Sequence, residues 1–254
     1  MNIFKNKTSR ALIFIMCALA FCGVIVSYYY YKSINESADP RIEKARTLYE
    51  KYNIYAQNNE FDSIFMLMDS IELIYTSVDH YKDSYEVGVL YNNRAASFLT
   101  IGLFSKNIKI NVQDSLIDQA KNGAEKSIDI YQKWLERFQD KSIAEIENIV
   151  SRNFYVGLEN YNADQIKKYL KNRIKEIQDS QAETKRRLSV SYTNLGVIHR
   201  HYLQYESAAN CYKKAIDLWD RNLTAENNLN VLLGRPIKKR SFIQKLFPPD
   251  RDQN

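Results

Sequence analysis

Proline is missing from the interior of this 254-residue chain: Pro40, Pro236, Pro248 and Pro249 are its only prolines, and none lies between Arg41 and Arg235. A proline inside a helix loses a donor and clashes with the preceding turn, so its absence leaves room for helix after helix. Valine and threonine are not enriched there, and alternation with period two is scarce. The predicted fold class is therefore all-α. Cysteine is scarce as well. Cys17 and Cys22 fall in an apolar N-terminal run, which leaves Cys211 alone and excludes a disulfide framework or a cysteine-based zinc cluster. The chain has 3 histidines, His80, His199 and His201. The last two would lie about 200° apart around a helix, facing opposite sides, which argues against a shared metal. His199 and Cys211 would sit on the two helices of one hairpin. A cysteine nucleophile also needs an orienting group and oxyanion donors, and no glycine-rich segment supplies them. No phosphate loop, nucleophile elbow or HExxH is present. The reading is of a protein without catalytic residues, metal or cofactor.

Charge is concentrated at the two ends. Residues 1–32 hold Lys5, Lys7, Arg10 and Lys32 with no acid, and 235–254 hold six basic residues against Asp250 and Asp252. The remainder, 33–234, is close to neutral at −2. A nucleic-acid-binding domain would concentrate Lys and Arg on its folded part, so nucleic acid is not an expected partner.

Long apolar runs are absent except for one. "ALIFIMCALAFCGVIVSYYYY" covers 11–31, 21 residues without a charge. That length spans a bilayer core as a helix. A short basic flank, 1–10, precedes it, and Tyr28, Tyr29, Tyr30 and Tyr31 close it as an interfacial aromatic belt would. Ala18-Leu19-Ala20 is a rival signal-peptidase site, and Leu19-Ala20-Phe21-Cys22 a rival lipobox. The apolar run continues past both, and Phe21 is bulky where a lipobox takes a small residue. A single-pass transmembrane helix or uncleaved signal anchor is expected. The basic residues nearest the run lie on its N-terminal side, which places the N-terminus inside and the rest of the chain outside, in the periplasm of a diderm bacterium. The high usage of Asn, Lys, Ile and Tyr suits an AT-rich bacterial genome. The expected organisation is a flank at 1–10, the span at 11–31, a linker at 32–40, a helical domain at 41–234 and a basic tail at 235–254.

The chain has only 7 glycines, yet Gly196 sits inside an otherwise helical stretch, where it costs about 1 kcal/mol relative to alanine. Self-comparison supplies a reason. "YTNLGVIH" (192–199) aligns with "YNNRAASF" (91–98), which sets Gly196 beside Ala95. "AANCYKKAIDLW" (208–219) aligns with "AKNGAEKSIDIY" (120–131), which sets Ala208 beside Ala120 and Ala215 beside Ser127. The first copy carries 13 more residues between its halves. Asn228 and Leu229 follow Asn194 and Leu195 at a distance of 34. This pattern resembles the tetratricopeptide repeat family at Tyr192, Leu195, Gly196, Ala208, Tyr212 and Ala215. Tyr91, Ala95, Ala120 and Ser127 are the corresponding positions of the interrupted copy. His199 departs from the family's aromatic, and Asp220 stands where proline is frequent. The resemblance covers about a quarter of the chain. It implies a right-handed superhelix of antiparallel helix pairs, with Gly196 and Ala208 forming a close helix contact. Because Ala95 fills the aligned place, Gly196→Ala is expected to be mild.

Other signals agree with helices. Residues 48–75 read as a hairpin turning near Glu60-Phe61. Asn162 with Gln165 reads as a capping box, and Ser180 with Glu183 as a second one that breaks a helix near Asp179. Residues 141–187 are helical but resist alignment. Gly234 followed by Pro236 ends the last helix, which is expected to cap the stack.

In helical-repeat proteins the first helix of each pair lines a concave binding surface. Asn93, Ala96 and Thr100 share one helix face, and Asn194, Val197 and His201 repeat the spacing. An asparagine there can both donate to and accept from an extended peptide. The expected role is a membrane-anchored scaffold or adaptor that binds a protein or peptide. The alternative is a membrane-bound helical sensor or enzyme with a site of unrecognised type. In the tail, Phe242, Ile243, Leu246 and Phe247 form an apolar face flanked by Lys238, Lys239, Arg240 and Lys245, which suits an anionic lipid leaflet or a partner's groove.

Overall fold

Helix follows helix from Glu43 onward in the computed structural model, which describes residues 15, 16, 21, 38–106 and 108–239. Eight helices and no strand occur among these described residues from that point. They are α1 (Glu43–Asn58), α2 (Phe61–Thr76), α3 (Tyr85–Phe104), α4 (Ile110–Phe138), α5 (Ile143–Val150), α6 (Ala163–His201), α7 (Tyr205–Leu218) and α8 (Leu223–Leu232). The chain is all-α. The run at 11–31 lies outside the described residues apart from Ile15, Met16 and Phe21, as does the tail from 240. Among the described residues no helix is long and apolar enough to cross a membrane.

Local chemistry sets the helix ends. Asn59 terminates α1 in the left-handed conformation, φ 57°, which asparagine tolerates. Ser142 and Glu145 form a capping box at the start of α5, and Asn162 and Gln165 do so for α6. The helix break expected near Asp179 is absent: α6 runs unbroken for 39 residues. The Ser180 hydroxyl donates to the Glu176 carbonyl at 2.6 Å instead of capping a new helix, a mid-helix option open to serine. Glu183 is taken up by Arg186 and Arg187, each at 2.7 Å. Gly234, at φ 66°, follows α8 and is succeeded by Arg235, whose N–H returns to the Asn230 carbonyl.

Successive helices pack as antiparallel pairs: α1 on α2, α3 on α4, and α6 on α7, with α8 laid against α7 and touching α6. Helix α6 also contacts α3 and α4, and α5 packs against α6. One core joins α3, α4, α6 and α7 through Leu99, Ile117, Tyr131, Leu188, Leu195, Cys211 and Ala215. A second lies between α1, α2 and α3 around Ile64, Met68, Ile71 and Tyr81. A third gathers Trp134, Phe138, Ile146, Phe154, Leu158 and Ile177, and accounts for the stretch at 141–187 that has no internal copy. Each buried Leu, Ile or Phe contributes about 1.5–3 kcal/mol.

Small residues bring the paired helices close. Gly88, Ala95 and Gly102 lie seven apart along α3 and face Tyr131, Gly123 and Ile117 of α4. Ser127 Oγ donates to the Gly88 carbonyl at 2.9 Å, and Ser189 Oγ to the Ala215 carbonyl at 2.6 Å. Such bonds between a side chain and the opposite backbone require close approach. Gly196 meets the ring of Tyr212, not chiefly Ala208. A Cβ on Gly196 would stand 2.4, 2.7 and 3.0 Å from Tyr212 Cε1, Cδ1 and Cζ. Gly88 meets Tyr131 in the same way, at 2.5, 2.8 and 2.9 Å. Gly88 and Tyr131 thus repeat the glycine-on-ring contact of Gly196 and Tyr212, one heptad before Ala95 along α3. The Ser127–Gly88 and Ser189–Ala215 bonds join the same aligned pair of positions in the two hairpins.

Asn222 fixes the last helix. Its carbonyl oxygen caps Ala225 N–H at 2.9 Å, while its amide donates to Ser189 Oγ at 2.7 Å and Thr193 Oγ1 at 2.9 Å. Beyond α8 the chain doubles back along it. Asn227 and Lys238 exchange two hydrogen bonds, at 3.0 and 2.7 Å.

Candidate functional site

The amides expected to face a ligand are used inside the fold. Asn93 is buried, and its Nδ2 donates to the Tyr49 hydroxyl at 2.8 Å. Asn194 Nδ2 donates to Asn92 Oδ1 at 3.0 Å, and Asn92 in turn lies 3.0 Å from Ser191 Oγ. These asparagines bind neighbouring helices to one another. Thr100 is exposed and donates to the Ala96 carbonyl at 2.8 Å. Val197 packs against the core, and His201 lies edge-on to Tyr202. His199 Nδ1 faces Gln204 Oε1 at 2.6 Å, while burial pushes the Cys211 thiol up, away from the thiolate a nucleophile needs. Among the described residues no three His, Cys, Asp or Glu side chains converge as a metal site requires.

A different set of residues converges two turns closer to the helix starts. A cleft of about 420 Å³ opens between α1, α3 and α6. Arg46 and Tyr49 of α1 form one wall, with Tyr75 of α2 behind them. Tyr85, Glu86 and Val89 of α3 form the floor, and Glu176, Asp179 and Arg187 of α6 the facing wall. Glu86 and Val89 lie on the same strip of α3 as Asn93, Ala96 and Thr100, since residues seven apart on a helix nearly eclipse. Arg187 stands likewise one heptad before Asn194. Sequence spacing therefore marks this strip but not where along it the cleft opens.

The charges of the cleft are arranged in pairs. Arg46 meets Glu176 at 2.6 Å, and Arg187 meets Glu183 at 2.7 Å. Arg173, 3% exposed, bonds Glu86 at 2.8 Å, reaches Glu176 at 3.4 Å, and lies over the Tyr81 ring at 4.1 Å. Burial alone would raise the Glu86 carboxyl. The charge and hydrogen bond of Arg173 outweigh it and hold the group below the usual carboxylate range. Burial, then the charge of Glu86, pushes the Tyr85 phenol up to about 12, and burial raises Tyr49 and Tyr75 as well. All three phenols therefore stay protonated at neutral pH, as hydrogen-bonding groups on aromatic walls. Tyr49 stacks on Tyr52 at 5.5 Å, which holds its ring in place.

The cleft offers aromatic surface and fixed polar groups, with each guanidinium balanced by a carboxylate. Arg46, Tyr49, Tyr85 and Arg187 were not distinguished in sequence, because Arg46 and Arg187 lie in helices that had no recognised copy at those positions. No family model, no curated protein and no solved structure matches the chain.

Proposed function

We propose that this protein is a membrane-anchored adaptor that captures a protein segment in the tyrosine-lined cleft between α1, α3 and α6. The cleft itself carries the reading: three first-of-pair helices converge on a concavity of about 420 Å³ whose walls are phenols and paired charges. Tyrosine supplies large contact area at low entropic cost. The resemblance to tetratricopeptide repeats supports the same use, since that family binds on its first helices. In this reading α1–α2, α3–α4 and α6–α7 are successive units of a superhelix, α8 is its cap, and 11–31 spans the membrane with the helical domain outside.

The test is selection of extended peptides from a random display library against the full chain in detergent. Selected peptides should lose roughly tenfold or more in affinity on Tyr85→Ala, as removal of an aromatic anchor does. They should be indifferent to Leu203→Ala, which alters the α6–α7 turn. Peptides that bind equally to parent and Tyr85→Ala would overturn the assignment of the cleft.

A further inference from the structure

The end of the fold at which the N-terminal segment arrives is held in a defined place. Arg41 pairs with Asp39 at 2.6 Å and donates to the carbonyls of Phe154 at 3.0 Å and Val156 at 2.6 Å. Its guanidinium lies over the buried Phe154 ring at 4.7 Å. The entering chain is thereby clamped to the 151–158 loop. That loop turns two apolar side chains outward: Tyr155 is 59% exposed and Val156 54%. Arg152, beside them, is exposed as well.

The start of α6 stands at the same end. Tyr169 of α6 contacts Tyr161, three residues past the loop, edge-on at 5.5 Å. Along its outer side, Lys167, Lys171 and Lys175 are exposed at four-residue spacing, which makes one strip. Setting aside the buried, paired Arg173, residues 151–175 contain five basic residues, Arg152, Lys167, Lys168, Lys171 and Lys175, against Glu159 and Asp164. The helical domain as a whole is nearly neutral, so this end is locally positive.

Chain length gives the direction. Only residues 32–37 lie between Tyr31, the end of the apolar run, and Ala38, where the described chain resumes. That stretch can extend at most about 25 Å. If 11–31 crosses a bilayer, the clamped end lies within that distance of its headgroups. Exposed Tyr and Val at the same end as a strip of lysines are what an anionic interface accommodates: apolar groups enter the boundary and cations meet lipid charge.

We propose that the 151–158 loop and the lysine strip of α6 form a lipid-contact surface that rests on the anionic face of the bilayer holding 11–31. This orients the cleft relative to the membrane. The inference takes its direction from the anchor reading of the proposed function.

The test uses the full chain with vesicles of phosphatidylcholine, with or without phosphatidylglycerol, containing lipids brominated on their acyl chains. Tyr155→Trp places a probe in the loop, and Leu203→Trp places one at the far end of α6. The quenching of each is compared with that of the parent, whose Trp134 and Trp219 are common to all. Trp at 155 should be quenched several-fold more than Trp at 203 in anionic vesicles. Joint replacement of Lys167, Lys171 and Lys175 by Glu should lower quenching at 155 at least about twofold, and replacement by Gln should lower it less. Equal quenching at 155 and 203 in a chain retained after a carbonate wash overturns the surface while leaving the anchor. Carbonate release of a chain still quenched at 155 in anionic vesicles at low salt overturns the anchor while upholding the surface. A lysine triple variant that behaves as the parent also overturns the proposal.

Discussion

Gly196→Ala is the sharpest perturbation the fold offers, because sequence and structure disagree about it. Alignment with Ala95 makes the change mild. The structure puts a new methyl 2.4 Å from Tyr212 Cε1 and 2.7 Å from Cδ1, where carbon contacts belong near 3.5–4.0 Å. The ring must retreat by about 1 Å, and it is fully buried at 0% exposure. Overpacking of this kind costs about 1–3 kcal/mol. Replacing glycine by alanine in a helix returns about 1 kcal/mol. The net effect is a loss of about 1 kcal/mol. The decisive quantity is the coupling. In a Tyr212→Leu background the side chain can turn away, and Gly196→Ala should become stabilising by up to about 1 kcal/mol. The assay is urea unfolding of the four chains in detergent, followed by helical circular dichroism. A coupling energy of about 1–3 kcal/mol is expected. Additivity within about 0.5 kcal/mol, or a more stable Gly196→Ala in the parent background, would refute the ring-on-glycine packing. Gly88→Ala against Tyr131 is an independent copy of the experiment, with nearly the same distances.

Leu203 holds a left-handed backbone, φ 59°, with its side chain 69% exposed. Leu203→Gly should therefore stabilise by about 1 kcal/mol, measured by urea unfolding. Asn222→Ala removes a cap and two bonds to α6; it should destabilise by about 2 kcal/mol and accelerate amide exchange across 223–232 first. Glu86→Gln should cost about 3 kcal/mol at neutral pH, because Arg173 stays buried with a weakened partner. The folded carboxyl of Glu86 is held low, so its contribution is complete above the unfolded value of about 4.3 and is lost as pH falls through the folded value. The acid limb of the stability curve should therefore be flatter in Glu86→Gln than in the parent. At the N-terminus, the full chain should remain with membranes after carbonate washing, and recovery of a soluble form beginning near Phe21 would refute the anchor.

Helical class was legible because it depends on local features that need no tertiary knowledge. The missing prolines and the Asn162–Gln165 box are of this kind. Ser180 was misread for an equally physical reason. A serine followed three residues later by glutamate caps a helix only if the backbone opens at the serine. At 180 the hydroxyl can satisfy itself on the Glu176 carbonyl, and Arg186 and Arg187 compete for Glu183. Sequence alone does not rank those partners. The ring-on-glycine contact is hidden in a related way. Small residues at heptad spacing in α3 offer three similar places for a close contact, Gly88, Ala95 and Gly102, and sequence alone does not show that a tyrosine ring rests on Gly88.

The site was less legible than the fold, and the asparagines show why. An asparagine on the first helix of a pair can face a ligand or the next pair. The choice depends on the separation between adjacent pairs. Where α3 and α6 are close, at Asn92, Ser191 and Asn194, the amides and hydroxyls bond one another across the boundary. Toward Glu86 and Glu176 the space beside the same helices is taken by long side chains: Arg173 crosses from α6 to Glu86 of α3, Arg46 reaches from α1 to Glu176, and Arg187 pairs with Glu183 on its own helix. The early turns of α6 pack on α5 and on the cluster around Trp134 and Phe154. The segment without an internal copy therefore backs the α6 wall of the cleft. A mutation that loosens this third core, such as Phe154→Ala, should act at a distance. It should weaken peptide capture at Tyr85 as well as cost about 3–5 kcal/mol of stability. If capture is unchanged in the folded fraction of that variant, α5 and its loop do not support that wall.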